Sequence, residues 1–142
     1  MKENKSFTLI ELLVVVAIIG IISSLAFVNV KDSQRKAKDA NIIKNLLAVV
    51  DAAEFLLGET IQNYDMVCDE ADNTLSNTES FNRLESAIKT NNGNKDLKCL
   101  ESADKREYAV SSPLIYLAGY WCVDSRGVSK NIPSDVIISE CP

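Results

Sequence analysis

Histidine is absent from this 142-residue chain, and its absence excludes several kinds of site. Without an imidazole there is no Ser-His-Asp triad, no Cys-His pair, no histidine-ligated metal and no histidine general base. The sequence also lacks a glycine-rich phosphate loop and a nucleophile elbow. We therefore expect no catalytic residues and predict that the chain is not an enzyme.

Basic residues are also few, with 15 Lys and Arg against 20 Asp and Glu and a net charge of −5. A protein that binds nucleic acid needs a basic face to neutralise phosphates, so we expect no direct nucleic-acid partner. The acidic cluster at Asp69, Glu70 and Asp72 lacks the regular spacing of an EF-hand calcium loop. The sequence predicts neither a metal site nor a cofactor.

Apolar residues are concentrated in one run, from Phe7 to Val30, which follows a short polar segment. A helix over these residues would be about 36 Å long, and the hydrocarbon core of a bilayer is about 30 Å thick. The run therefore predicts a transmembrane helix. A cleaved secretory signal is the alternative, but its apolar core is shorter, and Ser24-Leu25-Ala26 is the nearest match to a cleavage site.

Glu11 is the only charged residue in the apolar run. A carboxylate inside a membrane helix costs about 2.5–3.5 kcal/mol, so such residues usually have a partner and a role. The simpler interpretation is an interfacial side chain that reaches back to the lipid headgroups.

The segment from Phe7 to Ile22 reads FTLIELLVVVAIIGII and resembles the N-terminal signature of type IV pilins and pseudopilins. The resemblance implies that a prepilin peptidase cuts between Ser6 and Phe7 and that the new Phe7 amine is methylated. It also implies that Glu11 pairs with the Phe7 amine of a neighbouring subunit, which would supply the missing partner. Ser6 stands where the family usually has Gly, and Val28 stands where many members have Pro.

The helix is predicted to continue beyond the apolar run, because no Pro or Gly occurs between Ile21 and Leu57. It should end near Gly58. Residues 31–39 carry four basic and two acidic side chains, which predicts either a solvated helix face or attraction to lipid headgroups or acidic neighbours. Beyond them, apolar residues recur at spacings of 4, 3, 4 and 3, as one helical face requires: Ile42, Leu46, Val49, Ala53 and Leu56.

The remainder of the chain predicts a short helix and three antiparallel strands. The helix covers Glu79–Thr90, and Ser76 with Glu79 has the spacing of a capping box. The strands cover Glu107–Ser111, Leu114–Val123 with an interruption at Gly119, and Val128–Ile132. Such a sheet offers the broad apolar partner that the helical stripe needs.

Four cysteines lie beyond the apolar run, at Cys68, Cys99, Cys122 and Cys141. An even number in a small exported domain predicts disulfides, and four cysteines allow three pairings. We favour Cys68–Cys99, which closes the polar loop, and Cys122–Cys141, which ties the tail to the sheet. Zinc is the alternative, but the sequence contains no Cys-x-x-Cys pair.

The predicted fold is α+β, with the lollipop shape of a type IV pilin. The predicted organisation is a leader peptide (1–6), a transmembrane or filament-core half of the long helix (7–30), an amphipathic half (31–57), a variable polar loop with a short helix (58–106), and an antiparallel sheet with the C-terminal tail (107–142).

The leading functional hypothesis is a structural subunit of a type IV pilus or a related filament. Its partners would be further copies or other pilin-like subunits, the prepilin peptidase and a pilus or secretion assembly platform. Lysines flank the apolar run on both sides, so charge does not fix its orientation. The resemblance and the cysteines place the N-terminus in the cytoplasm and the head outside, first on the membrane and then in an extracellular filament.

Two alternatives remain open from the sequence. The chain could be a pseudopilin of a type II secretion or DNA-uptake machine, a role that the small head does not distinguish from a pilus subunit. A different class of protein, a monomeric membrane-anchored extracellular binding domain, would need neither Glu11 nor the Phe7 motif.

Overall fold

The computed structural model describes residues 7–59 and 63–142, except for the side chains of residues 25–29 and 59. The predicted leader peptide, including Ser6, lies outside the described residues. The chain divides into two compact units, the first ending at Gln34 and the second covering Arg35–Pro142.

Helix α1 runs from Leu9 to Glu59, so it ends one residue beyond the predicted glycine stop. Its first part contains the apolar run, and the large side chains that the structure describes there are exposed. Over the described residues, the structure has no helix that is both long and apolar enough to cross a membrane. A membrane-spanning role for residues 7–30 stays a prediction.

The part of α1 within the second unit carries the predicted apolar stripe. Ile42, Leu46, Val49 and Ala53 are fully buried. They share one core with residues of the sheet, including Tyr108 and Val110. Burial of this face stabilises the second unit, because each fully buried aliphatic side chain contributes roughly 1.5–3 kcal/mol.

The main sheet is antiparallel and has four strands in the order β3-β4-β5-β6. A separate two-stranded ribbon pairs β1 with β2. The bounds of the strands are β1 Cys68–Asp69, β2 Thr74–Leu75, β3 Lys98–Glu101, β4 Tyr108–Pro113, β5 Tyr120–Asp124 and β6 Ser129–Ile132. The α+β class is therefore confirmed, and the sheet contains one strand, β3, that the sequence did not predict.

Strand β5 begins six residues later than predicted, after Gly119. Gly119 has a φ of +94°, and a Cβ there would lie 2.3 Å from the carbonyl oxygen of Ile132. This backbone conformation and close approach require glycine, so the chain leaves strand geometry before it. Residues 114–119 therefore form a loop between β4 and β5, which we call the β4–β5 loop.

Helix α2 covers Glu79–Asn91, close to the prediction, but its predicted capping box is wrong. Thr78 is the N-cap and makes no side-chain capping bond. The hydroxyl of Ser76 instead donates to the carbonyl of Met66, 2.6 Å away, in the segment that leads into β1. The Ser76 side chain is thus used to close the β1–β2 ribbon rather than to start the helix.

The predicted disulfides are confirmed, and the two pairs are those that the sequence favoured. Cys68 is bonded to Cys99, which fastens β1 to β3. Cys122 is bonded to Cys141, which fastens the C-terminal tail to β5.

Candidate assembly and anchoring surfaces

The first unit presents a continuous series of large apolar side chains to its surroundings. Leu9 is 82% exposed, and the least exposed member of the series, Val15, is still 46% exposed. Contiguous apolar surface of this extent marks a site that another molecule or a membrane covers. We call it the apolar surface; its members are Phe7, Leu9, Ile10, Leu12, Leu13, Val14, Val15, Val16, Ile18, Ile19, Ile21 and Ile22.

Glu11 is held at the start of α1 by a reciprocal capping box with Thr8. Its Oε2 accepts hydrogen bonds from the backbone N–H of Thr8 at 2.9 Å and from the Thr8 hydroxyl at 2.6 Å. The backbone N–H of Glu11 donates in return to the Thr8 hydroxyl oxygen at 3.3 Å. The Thr-x-x-Glu spacing of this capping box is visible in the sequence.

The capping box keeps the carboxylate beside the positive end of the helix dipole, where negative charge is stabilised. Phe7 precedes the helix and is 73% exposed. The predicted pairing of Glu11 with the Phe7 amine of another subunit involves a second copy, so it stays a prediction. The structure shows that the carboxylate also has a partner within its own chain.

Asp39 joins the long helix to the β4–β5 loop. Its side chain is buried, and its two oxygens accept the backbone N–H groups of Ile115 at 2.7 Å, Tyr116 at 3.0 Å and Leu117 at 2.8 Å. The expectation that Asp39 belongs to a solvated basic face was wrong. Three charge-assisted hydrogen bonds compensate the burial of this carboxylate.

The loop that Asp39 holds exposes two large side chains. Tyr116 is 43% exposed and Leu117 is 45% exposed. The ammonium of Lys36, one helical turn before Asp39, lies 4.8 Å from the centroid of the Tyr116 ring. We call Lys36, Tyr116 and Leu117 the Tyr116 patch.

Asp124 fixes the C-terminal tail beside the second disulfide. This buried carboxylate accepts the backbone N–H groups of Arg126, Val128 and Cys141, each at 3.0 Å. The sequence indicated only a turn at Asp124 and Ser125. The same carboxylate in fact closes that turn and anchors the tail.

Lys105 fastens the polar segment between the two helices. Its ammonium hydrogen-bonds to Glu70 and, at 2.9 Å, to Glu101, and lies 3.6 Å from Asp65. The hydrogen bond to Glu70, followed by that to Glu101, raises the pKa of Lys105, and the Lys105 ammonium lowers the pKa of Glu70. Glu70 is therefore used in an ion pair. In the part of the chain that the structure describes, no acidic cluster is arranged to hold a metal ion.

Comparison with known proteins gives a family-model match at the N-terminal end, matches with curated relatives, and none with solved structures. The family model described as the prokaryotic N-terminal methylation motif matches residues 1–27. No solved structure matches the chain significantly. The resemblance to type IV pilins that residues 7–22 predict is thus supported by the motif that these residues carry.

Curated relatives carry pilin names. The chain is 41% identical over 57 residues to the type IV major pilin protein PilA of Myxococcus xanthus (strain DK1622), a match covering 40% of this chain and 26% of the relative. It is also 41% identical over 54 residues to two fimbrial proteins of Pseudomonas aeruginosa, over 38% of this chain and 35% of each relative. The predicted resemblance is confirmed, and it covers about a quarter to a third of each relative's length.

Proposed function

We propose that this protein is a structural subunit of a type IV pilus or a related filament. The chain carries the prokaryotic N-terminal methylation motif and resembles type IV pilins. The apolar surface carries this proposal. The chain's own fold does not cover its side chains. Burial of this surface against other copies or in lipid would be favourable by about 25 cal/mol for each Å² of apolar area removed from water. The role is mechanical, with no reaction catalysed by the subunit.

Maturation would begin with cleavage between Ser6 and Phe7 by a prepilin peptidase, followed by methylation of the Phe7 amine. The match of the methylation motif to residues 1–27 supports this order of events. Phe7 lies just before helix α1, so the cut would leave the helix and its Thr8–Glu11 capping box whole.

Assembly would place the Phe7 amine of one subunit beside the Glu11 carboxylate of another. The capping box supports this pairing, because it holds the Glu11 carboxylate at the helix N-terminus before a partner arrives. A carboxylate that is already oriented loses less conformational entropy when it binds the amine.

The proposed location follows from the same surface. The precursor would be anchored in the membrane through residues 7–30 with its N-terminus in the cytoplasm and its head outside, and would then enter an extracellular filament. The two disulfides in the second unit support an oxidising location for the head.

Mass spectrometry of the mature N-terminus tests the maturation steps. We expect a chain that begins at an N-methylated Phe7. A mature chain that keeps Met1, or one cut after Ala26, would refute the proposal.

A pair of substitutions separates the charge of Glu11 from its capping role. Glu11→Gln removes the charge, yet a Gln at this position still completes a capping box. Thr8→Ala removes the capping partner and leaves the charge. We expect Glu11→Gln to abolish filaments seen by electron microscopy and Thr8→Ala to retain them. The opposite result would show that Glu11 acts only within its own helix.

A further inference from the structure

We propose that the Tyr116 patch, together with the basic side chains of residues 35–38, is a contact surface for anionic lipid headgroups. The proposal rests on the membrane anchoring of residues 7–30 proposed above, and assigns the head a surface that faces the bilayer before assembly.

The position of the patch is fixed by the fold. Asp39 binds three consecutive N–H groups of the β4–β5 loop, so Tyr116 and Leu117 are held against the helix beside Lys36. These two side chains are exposed although the rest of the loop's large residues, Leu114 and Ile115, are buried or half-buried. The Asp39 carboxylate therefore holds the loop in a conformation that leaves Tyr116 and Leu117 exposed.

The composition of the patch matches a membrane interface. Tyrosine is enriched at the level of the headgroups, where its ring is apolar and its hydroxyl is hydrated. Lysine and arginine at the same level are attracted to anionic lipids. The patch contains both kinds of residue, and the Lys36 ammonium contacts the Tyr116 ring.

The charge distribution of the second unit fits an anionic lipid surface as the occupant of the patch. Residues 35–38 carry three basic side chains and no acidic one, whereas residues 40–142 carry nine basic and sixteen acidic ones. An anionic surface would therefore attract the patch and repel the remainder of the head. This asymmetry would orient the head with the patch toward the bilayer.

The sequence places these residues next to the proposed anchor. Lys31 follows Val30, the last residue of the apolar run, and Lys36 comes five residues after Lys31. Basic residues immediately outside a membrane segment are those that interact with headgroups. The β4–β5 loop adds an aromatic residue that is distant in sequence.

Quenching of tryptophan by brominated lipid tests the contact in the full chain. Tyr116→Trp would be made in a Trp121→Phe background, and the chain reconstituted in vesicles of phosphatidylcholine with or without brominated phosphatidylglycerol. Ile137→Trp in the same background is the matched control, because Ile137 is 83% exposed in the tail. Flotation of the vesicles reports the proposed anchoring independently.

We expect tryptophan at 116 to be quenched at least about twofold more than tryptophan at 137 in anionic vesicles. Lys36→Gln with Lys38→Gln should reduce that quenching, whereas Lys95→Gln with Lys130→Gln should leave it unchanged. Intact mass showing no free thiols would confirm that each variant keeps its fold.

Equal quenching at 116 and 137 in a chain that floats would overturn the lipid contact and leave the anchoring intact. Protection of tryptophan 116 that grows with protein density and ignores anionic lipid would assign the patch to a second copy, and would also overturn the proposal. A chain that fails to float would refute the anchoring itself, and the lipid contact with it.

Discussion

At the scale of single residues, two buried carboxylates hold distant parts of the second unit together. Asp39 binds the N–H groups of the β4–β5 loop, and Asp124 binds those of a turn and of Cys141. Hydrogen bonds to a charged acceptor are roughly twice as strong as neutral ones. Each carboxylate therefore replaces several backbone contacts that a strand would otherwise supply.

Asp39→Ala should lower the free energy of unfolding by about 3 kcal/mol, because three part-buried N–H groups would lose their acceptor. Asp39→Asn should cost less, since its carbonyl oxygen can still accept. Asp32→Ala is the control, because Asp32 is exposed on the same helix and its loss should change stability by less than about 0.5 kcal/mol. Urea titration of the full chain in detergent measures all three, and equal effects of Asp39→Ala and Asp32→Ala would contradict this role of Asp39.

A pair of tyrosines should make the fold sensitive to alkaline pH. The rings of Tyr64 and Tyr108 lie 4.8 Å apart, and the Tyr64 hydroxyl donates to Glu54 at 2.7 Å. Burial, and then the bond to Glu54, raises the pKa of Tyr64 to about 12, and burial also raises the pKa of Tyr108. The folded state thus favours the neutral phenols.

Because these pKa values are higher in the folded state than in the unfolded chain, their contribution is complete below pH 10 or so and is lost as pH rises toward 12. We expect the free energy of unfolding to fall over this range, and Tyr64→Phe to make the fall shallower. Tyr116→Phe, the same change at an exposed ring, is the control. A slope that Tyr64→Phe leaves unaltered would contradict this account.

Whether a side chain's hydrogen-bond partners could be predicted depended on how far apart the partners lie in the sequence. The capping box of Thr8 and Glu11 is a local pattern that the sequence displays. The role of Asp39 is not, because its partners are 76–78 residues further on and use backbone groups that any sequence would offer. No spacing rule connects them.

At the scale of elements, the second part of α1 is the organising element. Its stripe was predictable, because the recurrence of apolar residues at helical spacing reports one buried face directly. Leu46 is fully buried, whereas its neighbour Leu47 is 44% exposed. These two leucines differ in environment and in nothing else, so they form a matched pair.

Leu46→Ala should therefore cost about 2–5 kcal/mol of unfolding free energy, the range for a leucine deleted from a packed core. Leu47→Ala should cost less than about 1 kcal/mol, since its side chain is already in part solvated. Denaturant midpoints for the two variants give the comparison. Similar costs would mean that the stripe does not face the core as described.

Strand β3 was not predicted because its sequence is short and half polar, reading Lys98-Cys99-Leu100-Glu101. It is paired with β4 and is fastened by the Cys68–Cys99 bond, so tertiary contacts decide its conformation. The three predicted strands are richer in β-branched and aromatic residues, which is the local signal that β3 lacks.

At the scale of the whole molecule, the two units differ in where their apolar side chains lie, buried in the second and exposed in the first. Every buried residue in the described part of the chain lies between Asp39 and Cys141. The first unit therefore contributes no described side chain to the core, and its apolar surface is available for other contacts. In the sequence, the apolar run and the four cysteines likewise fall in separate parts of the chain.

A fragment covering residues 35–142 should accordingly fold without the first unit. We expect it to be monomeric in size-exclusion chromatography, to contain two disulfides, and to unfold within about 1 kcal/mol of the full chain, since no core contact is removed. The full chain should need detergent or lipid to remain dispersed. A fragment that lacks cooperative unfolding would show that residues 7–34 are required for the fold.

The two disulfides also limit how far the chain can be stretched. They join residues 31 and 19 positions apart, and an extended chain spans about 3.4 Å per residue. A chain pulled from its ends would therefore keep about 160 Å of its length inside covalent loops, even after every strand had separated. In the proposed filament under load, these loops would stay closed while the rest of the chain extends, and a reducing agent would release the remaining length.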